Sequence, residues 1–385
     1  MTMNRNNYKR LGDYVRLVDV RNRDLAVTNL LGVSISKMFI PSIANTIGTD
    51  MSTYKIVEPY QFAYGPVTSR NGDKITFALY KGAEKCIISS AYITFEVIDK
   101  EKLDPDYLMM WALRPEFDRY ARFMSNGSAR EIFSWDDMCE VYLPIPDINE
   151  QRRIVAEYQA VEKRIATNEA LIAQLEETAQ IIYKKTFIDD INLNDLPSGW
   201  SITTLDDLSE FIAAGTIPEY VEESKYLVLG QKCVANHKIS LDKARPHSPK
   251  PTCKFVQYGD ILINSTGDGT LGRVGQIDFE PHTLAYDSNM TLVRPKEKYL
   301  ISYLFEFMKT QEDHFVNISQ GSTNQTRLYC SMIRPLEVLR PTKCVLEDFQ
   351  RKMDMLYSEA RLLSKELPIM RELLKLQQSR LSQLV

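Results

Sequence analysis

The run DINEQRRIVAEYQAVEKRIATNEALIAQLEETAQIIYKKTF, residues 147–187, decides how the rest of the chain is read. Ile154, Tyr158, Val161, Ile165, Asn168, Ile172, Leu175, Ala179 and Ile182 step alternately by four and three residues. That is a heptad seam with one polar member, Asn168. No Gly or Pro interrupts the run, so it predicts one helix of about 60 Å, at roughly 1.5 Å per residue. Such a helix is too long for the interior of one domain and reads as a spacer between two bodies. Asp147 offers an N-cap with Glu150 at capping-box spacing. Lys184 and Lys185 suit the negative end of the helix dipole. Asn168 reads either as a register device or as a point left open to a partner. Val155, Leu171 and Ile181 lie off the seam and widen the apolar stripe, so the flanking domains or a partner should cover them.

On the N-terminal side, residues 1–146 read as a mixed domain. Strand-like segments at 13–20, 53–57, 75–80 and 91–97 precede a helix over 104–123, a polar loop at 125–130 and a last strand ending in LPIP at 143–146. On the other side, after a polar linker at 189–198, the pattern returns. Strand-like segments at 226–229, 260–264, 273–277 and 290–293 precede a helix over 299–308, a polar loop at 320–327 and a second long helix over 346–384. Matched landmarks expose a duplication: Tyr107-Leu108 with Tyr303-Leu304, Gly127-Ser128 with Gly321-Ser322, and Gln151-Arg152 with Gln350-Arg351. The second helix carries its own seam: Phe349, Met353, Leu356, Ala360, Leu363, Leu367, Met370, Leu374, Gln377, Leu381 and Leu384. Two matching seams most simply pack on each other. Pro368 inside the second helix predicts a kink or a local break there.

The charge balance excludes gripping nucleic acid by bulk charge. Net charge is −4, with 18 basic and 18 acidic residues in 1–146 and 16 and 18 in 191–345. It leaves room for a reader that uses local patches. No apolar run approaches a membrane span, and the basic N-terminus has no apolar stretch behind it, so a cytoplasmic protein is expected. The six cysteines form no C-x-x-C pair and read as free thiols. GDGTLG at 267–272 is a literal G-x-G-x-x-G after a strand, but the residues behind it read as another strand, which makes it a glycine hairpin. No Asn-Pro-Pro-Tyr/Phe loop, no Walker A motif and no metal-ligand spacing among the four histidines is present, so neither catalysis nor a bound metal or cofactor is expected of this chain.

Three motifs carry a resemblance: LPIP at 143–146 running into EQRRI at 150–154; LPSGW at 196–200 followed by Leu205; and GDILI at 259–263 followed by 267–274 and Asn289. With the duplicated order of the whole chain, they resemble the specificity subunit of type I restriction–modification enzymes. The second helix departs from that pattern, keeping only Pro341 and Phe349-Gln350-Arg351 at its start. The resemblance implies an α+β chain: two similar globular α/β target-recognition domains separated by two long antiparallel coiled-coil-like helices in a pseudo-two-fold internal repeat. The boundaries expected are 1–146, 147–190, 191–345 and 346–385. It implies recognition of a bipartite site on double-stranded DNA, one half-site per domain, with no catalysis by this chain. Two modification (methyltransferase) subunits would supply S-adenosylmethionine chemistry, and restriction (translocase–nuclease) subunits would use ATP and Mg. The reading from another class is a coiled-coil scaffold that binds only protein and shows no sequence-selective, salt-dependent DNA binding.

Base reading needs polar and basic side chains on loops that reach groove edges and phosphates. In the first domain the candidates are Lys37, Asn45, Thr46, Arg70, Lys74, Asn126, Ser128 and Arg130. In the second they are His237, Lys238, Lys243, Arg245, Lys250, Ser265, Thr266, Asn324, Gln325 and Arg327.

Overall fold

A computed structural model of the chain describes residues 8–42, 48–69, 71–127, 130–321 and 326–383. The chain compacts into two units: Met1–Asn168 with Lys365–Val385, and Glu169–Ser364. The cut between the units falls inside both long helices. Val155 and Tyr158 are buried in the core of the first unit, whereas Ala179, Tyr183 and Phe187 are buried in that of the second.

The central helix runs Ile148–Phe187. Asp147 caps it, accepting from the amides of Asn149 at 3.0 Å and Glu150 at 3.2 Å. Glu150 does not close the capping box; its carboxylate turns to Arg153. The C-terminal helix runs Lys343–Arg380 with Pro368 inside it. Of the kink or local break expected at Pro368, the helix shows no break. A proline there removes one backbone bond, but Leu363, Leu367, Met370 and Leu374 are buried or half-buried on either side, and packing of the seam holds the helix through it. Every described seam residue of both helices is buried or half-buried, including Ile154, Val161, Ile165, Ile172, Leu175, Ile182, Met353 and Leu356. Leu384 lies outside the described residues. Within the first unit the helices run antiparallel, with Gln378 donating to Tyr158 at 2.8 Å and Asn168 to Glu366 at 2.9 Å. Asn168 is fully buried, and Arg164 also reaches Glu366, at 3.3 Å. Off the seam, Val155 is covered by the first unit, while Leu171 and Ile181 stay 41% and 45% exposed.

The first unit holds a four-stranded antiparallel sheet in the order Val15–Leu17, Ile93–Val97, Phe62–Tyr64, Phe77–Leu79. Phe62, Tyr64, Phe77 and Phe95 stack on it and fill the core beneath the helices Pro105–Ala112 and Pro115–Met124. One helix over 104–123 was the expectation. Pro115 splits it, because a residue before proline is pushed out of the helical region and Arg114 is extended, with ψ at 141°.

The second unit carries a six-stranded sheet: Ser209–Ala214, Met290–Pro295, Ile261–Asn264, Val274–Gln276, Lys238–Ile239, Val234–Ala235. Its first four strands repeat the sheet order of the first unit: first, fourth, second and third along the chain. A four-stranded sheet of Glu219–Tyr220, Arg245–Ser248, Leu227–Leu229 and Leu284–Tyr286 is added to it.

The duplicated glutamines tie each domain to its long helix, and the duplicated tyrosines tie the domain's own helix to the strand that precedes that long helix. Gln151, fully buried, accepts from the amide of Asp104 at 2.9 Å and donates to the carbonyls of Lys102 and Pro146. Gln350 accepts from the amide of Ser302 at 2.9 Å and donates to the hydroxyl of Ser302. Tyr107 donates to the carbonyl of Pro144 at 2.9 Å, and Tyr303 to that of Leu339. Each glutamine thus satisfies amide groups at the start of the domain's own helix, which have no partner inside that helix.

Candidate nucleic-acid interface

In both units the loop between the second and third strands of the common sheet lies against the polar loop that follows the helices. In the first unit these are residues 65–76 and 125–133. The amide of Thr68 donates to Glu131 at 3.0 Å, that of Phe133 to Pro66 at 2.8 Å, and the hydroxyl of Thr68 to that of Ser125 at 2.9 Å. Asn126 and Ile132 exchange main-chain bonds. Gly127 has φ at +131°, and a Cβ there would meet the carbonyl of Arg130 at 2.3 Å. Lys74, Asn126 and Arg130 stand exposed on this loop pair.

In the second unit the glycine hairpin at 265–272 meets the loop at 320–327. The amide of Leu328 donates to Ser265 at 2.8 Å, and Gln320 and Arg327 exchange main-chain bonds. The hairpin is followed by the strand Val274–Gln276, which excludes the strand–loop–helix order of a dinucleotide site. Beside it lies the turn at 287–289 between strands Leu284–Tyr286 and Met290–Pro295. The amide of Asn289 donates to Asp287 at 2.9 Å, and the amide of Ser265 to the carbonyl of Asn289 at 2.8 Å. The guanidinium of Arg327 donates to the carbonyl of Ser288 at 2.7 Å, and that of Arg273 to Gly269 at 2.7 Å. Thr266 accepts from the Gln231 amide and donates to Oδ1 of Asn289 at 3.2 Å.

The candidates from the sequence divide into three groups. Thr266 and Arg327 meet at the hairpin, and Lys74, Asn126 and Arg130 share the loop pair of the first unit. Several others face elsewhere. Lys37 is 5% exposed: its ammonium reaches Asp118 at 2.8 Å and donates to the carbonyl of Ala112. Burial draws that ammonium below the usual lysine range, against the opposing pull of Asp118. The exposed loop expected for Lys37 is therefore corrected to a buried ion pair. Ser265 is 1% exposed and shares its hydroxyl bond with Thr291, so it supports the hairpin from inside. Lys238 pairs with Glu176 of the central helix at 2.7 Å. His237 places Nδ1 3.3 Å from Glu312. Arg245 lies on the added sheet with its guanidinium 3.5 Å from the centre of the Tyr220 ring, and Lys243 and Lys250 are exposed. Asn45, Thr46, Arg70, Ser128, Asn324 and Gln325 lie outside the described residues. Gln231 was absent from the candidates, and Asn289 served only as a landmark. No local pattern marks them, because each acquires its place from a contact distant in sequence.

Residues 34–177 match the family model of the type I restriction modification DNA specificity domain. The matched segment covers the described loop pair of the first unit and more than half of the central helix. A curated relative, the putative type I restriction enzyme MjaX specificity subunit of Methanocaldococcus jannaschii, is 22% identical over 200 residues, 48% of this chain and 47% of that protein. The chain thus aligns with about half the length of this curated relative. Two solved structures share the fold of the specificity subunits. The type I restriction-modification S subunit from M. genitalium aligns with a TM-score of 0.63 at 14% identity, over 99% of this chain and 98% of that one. A chain from a structure on complex assembly and conformational transition of the type I R-M system aligns with a TM-score of 0.51 at 16% identity, over 97% of both chains. Among the described residues no helix is long and apolar enough to cross a membrane.

Proposed function

We propose that this chain is the sequence-reading subunit of a type I restriction–modification complex. It binds double-stranded DNA at a bipartite target, with one half-site read by each unit, and it performs no chemistry itself. Two modification subunits bring S-adenosylmethionine and methylate the site. Restriction subunits bring ATP- and Mg-dependent translocation and cleavage. The complex works in the cytoplasm. One observation carries this reading: a polar loop following the helices is hydrogen-bonded to the loop region between the second and third strands in each of two units, whose domains are tied to the long helices by equivalent glutamine side chains. Loops of this kind offer donors and acceptors to base edges and phosphates, and two non-identical pairs suit a target that is not palindromic.

Co-expression with its modification subunits is expected to give adenine methylation at one bipartite motif, read by long-read methylome sequencing. Absence of any methylated motif, with DNA binding that shows no sequence preference, would leave the protein-only scaffold standing in its place. Exchanging residues 199–345 for those of another recognition domain should change one half-site and leave the other intact. A change in both halves would defeat the assignment of one half-site per unit.

A further inference from the structure

The turn at 287–289 in the second unit is held more tightly than a solvated loop requires. A Cβ on Gly215 would meet the carbonyls of Asp287 and Tyr286 at 2.2 and 2.3 Å, and one on Gly230 would meet the carboxylate of Asp287 at 3.1 Å. Backbone therefore closes on the turn from two sides. Asp287 is 5% exposed. Its carboxylate accepts the Asn289 main-chain amide at 2.9 Å and faces the Asn289 side-chain nitrogen at 3.4 Å. That sets the Asn289 amide with its oxygen toward Thr266, whose hydroxyl donates to it at 3.2 Å. The same hydroxyl accepts from Nε2 of Gln231. Gly267, with φ at +105°, lets this happen: a Cβ there would meet the Gln231 side-chain oxygen at 2.7 Å.

The result is two side-chain amides, both half-exposed, locked in a chain that runs from Gln231 through Thr266 to Asn289 and back to Asp287. Each has used one N–H and retains another, with acceptor capacity left on its oxygen. A primary amide that offers one donor and one acceptor side by side matches the edge of adenine in the major groove, N7 accepting and N6 donating. Locking the amides beforehand lowers the ordering cost of binding. Cations lie on the same segments. Lys232 follows Gln231 and is exposed, Arg273 is held on the carbonyl of Gly269, and Arg327 on that of Ser288. Such charges suit phosphates, which set position without carrying sequence.

We propose that Gln231 and Asn289 are specificity-determining residues of the second unit, that one of them reads an adenine in its half-site, and that Thr266 and Asp287 are positioning residues for them. This rests on the DNA-reading function proposed above.

The test uses the full chain co-expressed with its modification subunits, with the methylated motif read by long-read sequencing for wild type, Asn289→Ala, Gln231→Ala and the isosteric Thr266→Val, and a melting curve for each. Either amide variant is expected to relax one position by about tenfold or more. That position should be an A·T pair in a single half-site. The other half-site, which serves as the internal control, should keep its selectivity. Thr266→Val should weaken the same position with melting unchanged, which keeps the test alive should an alanine variant fold poorly. The proposal is overturned if all three variants keep the full motif, if methylation falls uniformly at every site, or if the relaxed position is a G·C pair. A wild-type chain that directs no motif at all overturns the DNA-reading function itself, a separate outcome from the first three.

Discussion

Among the described residues of the first unit, the loop at 65–76 is fixed to its neighbour by main-chain bonds and by the Thr68 hydroxyl, which meets that of Ser125 at 2.9 Å and the carbonyl of Glu131 at 3.3 Å. In the second unit the shorter hairpin at 265–272 is fixed by side chains as well, through Gln231, Thr266, Asn289 and Arg327. The sheets beneath have the same strand order. The difference teaches that a duplicated scaffold keeps its ties and varies its loops. Where a loop carries its own hydrogen-bonded side-chain network, those side chains are ordered before any ligand arrives.

The comparison can be pressed first on the buried ion pairs. Asp118→Ala should be the most damaging of the substitutions considered, at about 3–5 kcal/mol, because it strands the Lys37 ammonium in the interior and removes the acceptor for the amide of Ile75. In the second unit, Asp260→Ala breaks the pair with Arg294, which lies at 2.7 Å. There the cation, Arg294, is partly exposed whereas Lys37 is buried, so water can reach the guanidinium and the loss should be smaller. Urea unfolding of both variants measures the order; equal losses would mean that solvent access to Arg294 does not ease the loss.

A smaller contrast is expected at the ties. Gln151→Ala leaves the amide of Asp104 and two carbonyls buried without their partner, at about 2 kcal/mol. Gln350 is half-exposed, water can replace part of what it does, and Gln350→Ala should cost nearer 1 kcal/mol. The same unfolding experiment decides between them, and the reverse order would undo the equivalence drawn here.

The smallest effect lies on the helix pair. Asn168 and then Arg164 hold the Glu366 carboxyl below the ordinary glutamate value of 4.5. Its folded pKa is depressed, so its contribution is fully present above that value and is lost as pH falls through the lower folded one. A melting temperature difference between wild type and Glu366→Gln should therefore be present at neutral pH and vanish on acidification below about 4.5. A difference that persists into acid would assign the effect to packing.

Much of the scaffold was legible because its signals are local. Both helices follow from heptad spacing, which any 3.6-residue winding turns into one buried stripe. The duplicated Tyr and Gln landmarks were visible before their roles were, and those roles required the carbonyls of Pro144 and Leu339 to be brought to them. The strands Phe62–Tyr64 and Cys86–Ile88 were missed. Every residue in them is buried, so no alternation of polar and apolar residues marks them. Pro115 splits a helix that the apolar pattern reads as one, while Pro368, which predicts a kink or a local break, leaves the helix unbroken. A proline states only the local cost, and neighbouring packing decides whether the helix bears it.

The sequence by itself determined the two seams, the duplication, the glycine hairpin and the absence of any basic domain, since each depends on residues close together or on composition. Tertiary structure alone decided which polar side chains face outward and which meet. Lys37 and Thr266 both read from the sequence as polar side chains on loops. One is drawn inside by Asp118, across a fold the chain must complete first. The other is set between Gln231 and Asn289, 35 and 23 residues away. Hydrogen bonds and ion pairs depend on distances of a few ångströms between atoms remote in sequence, and only the folded chain fixes those distances.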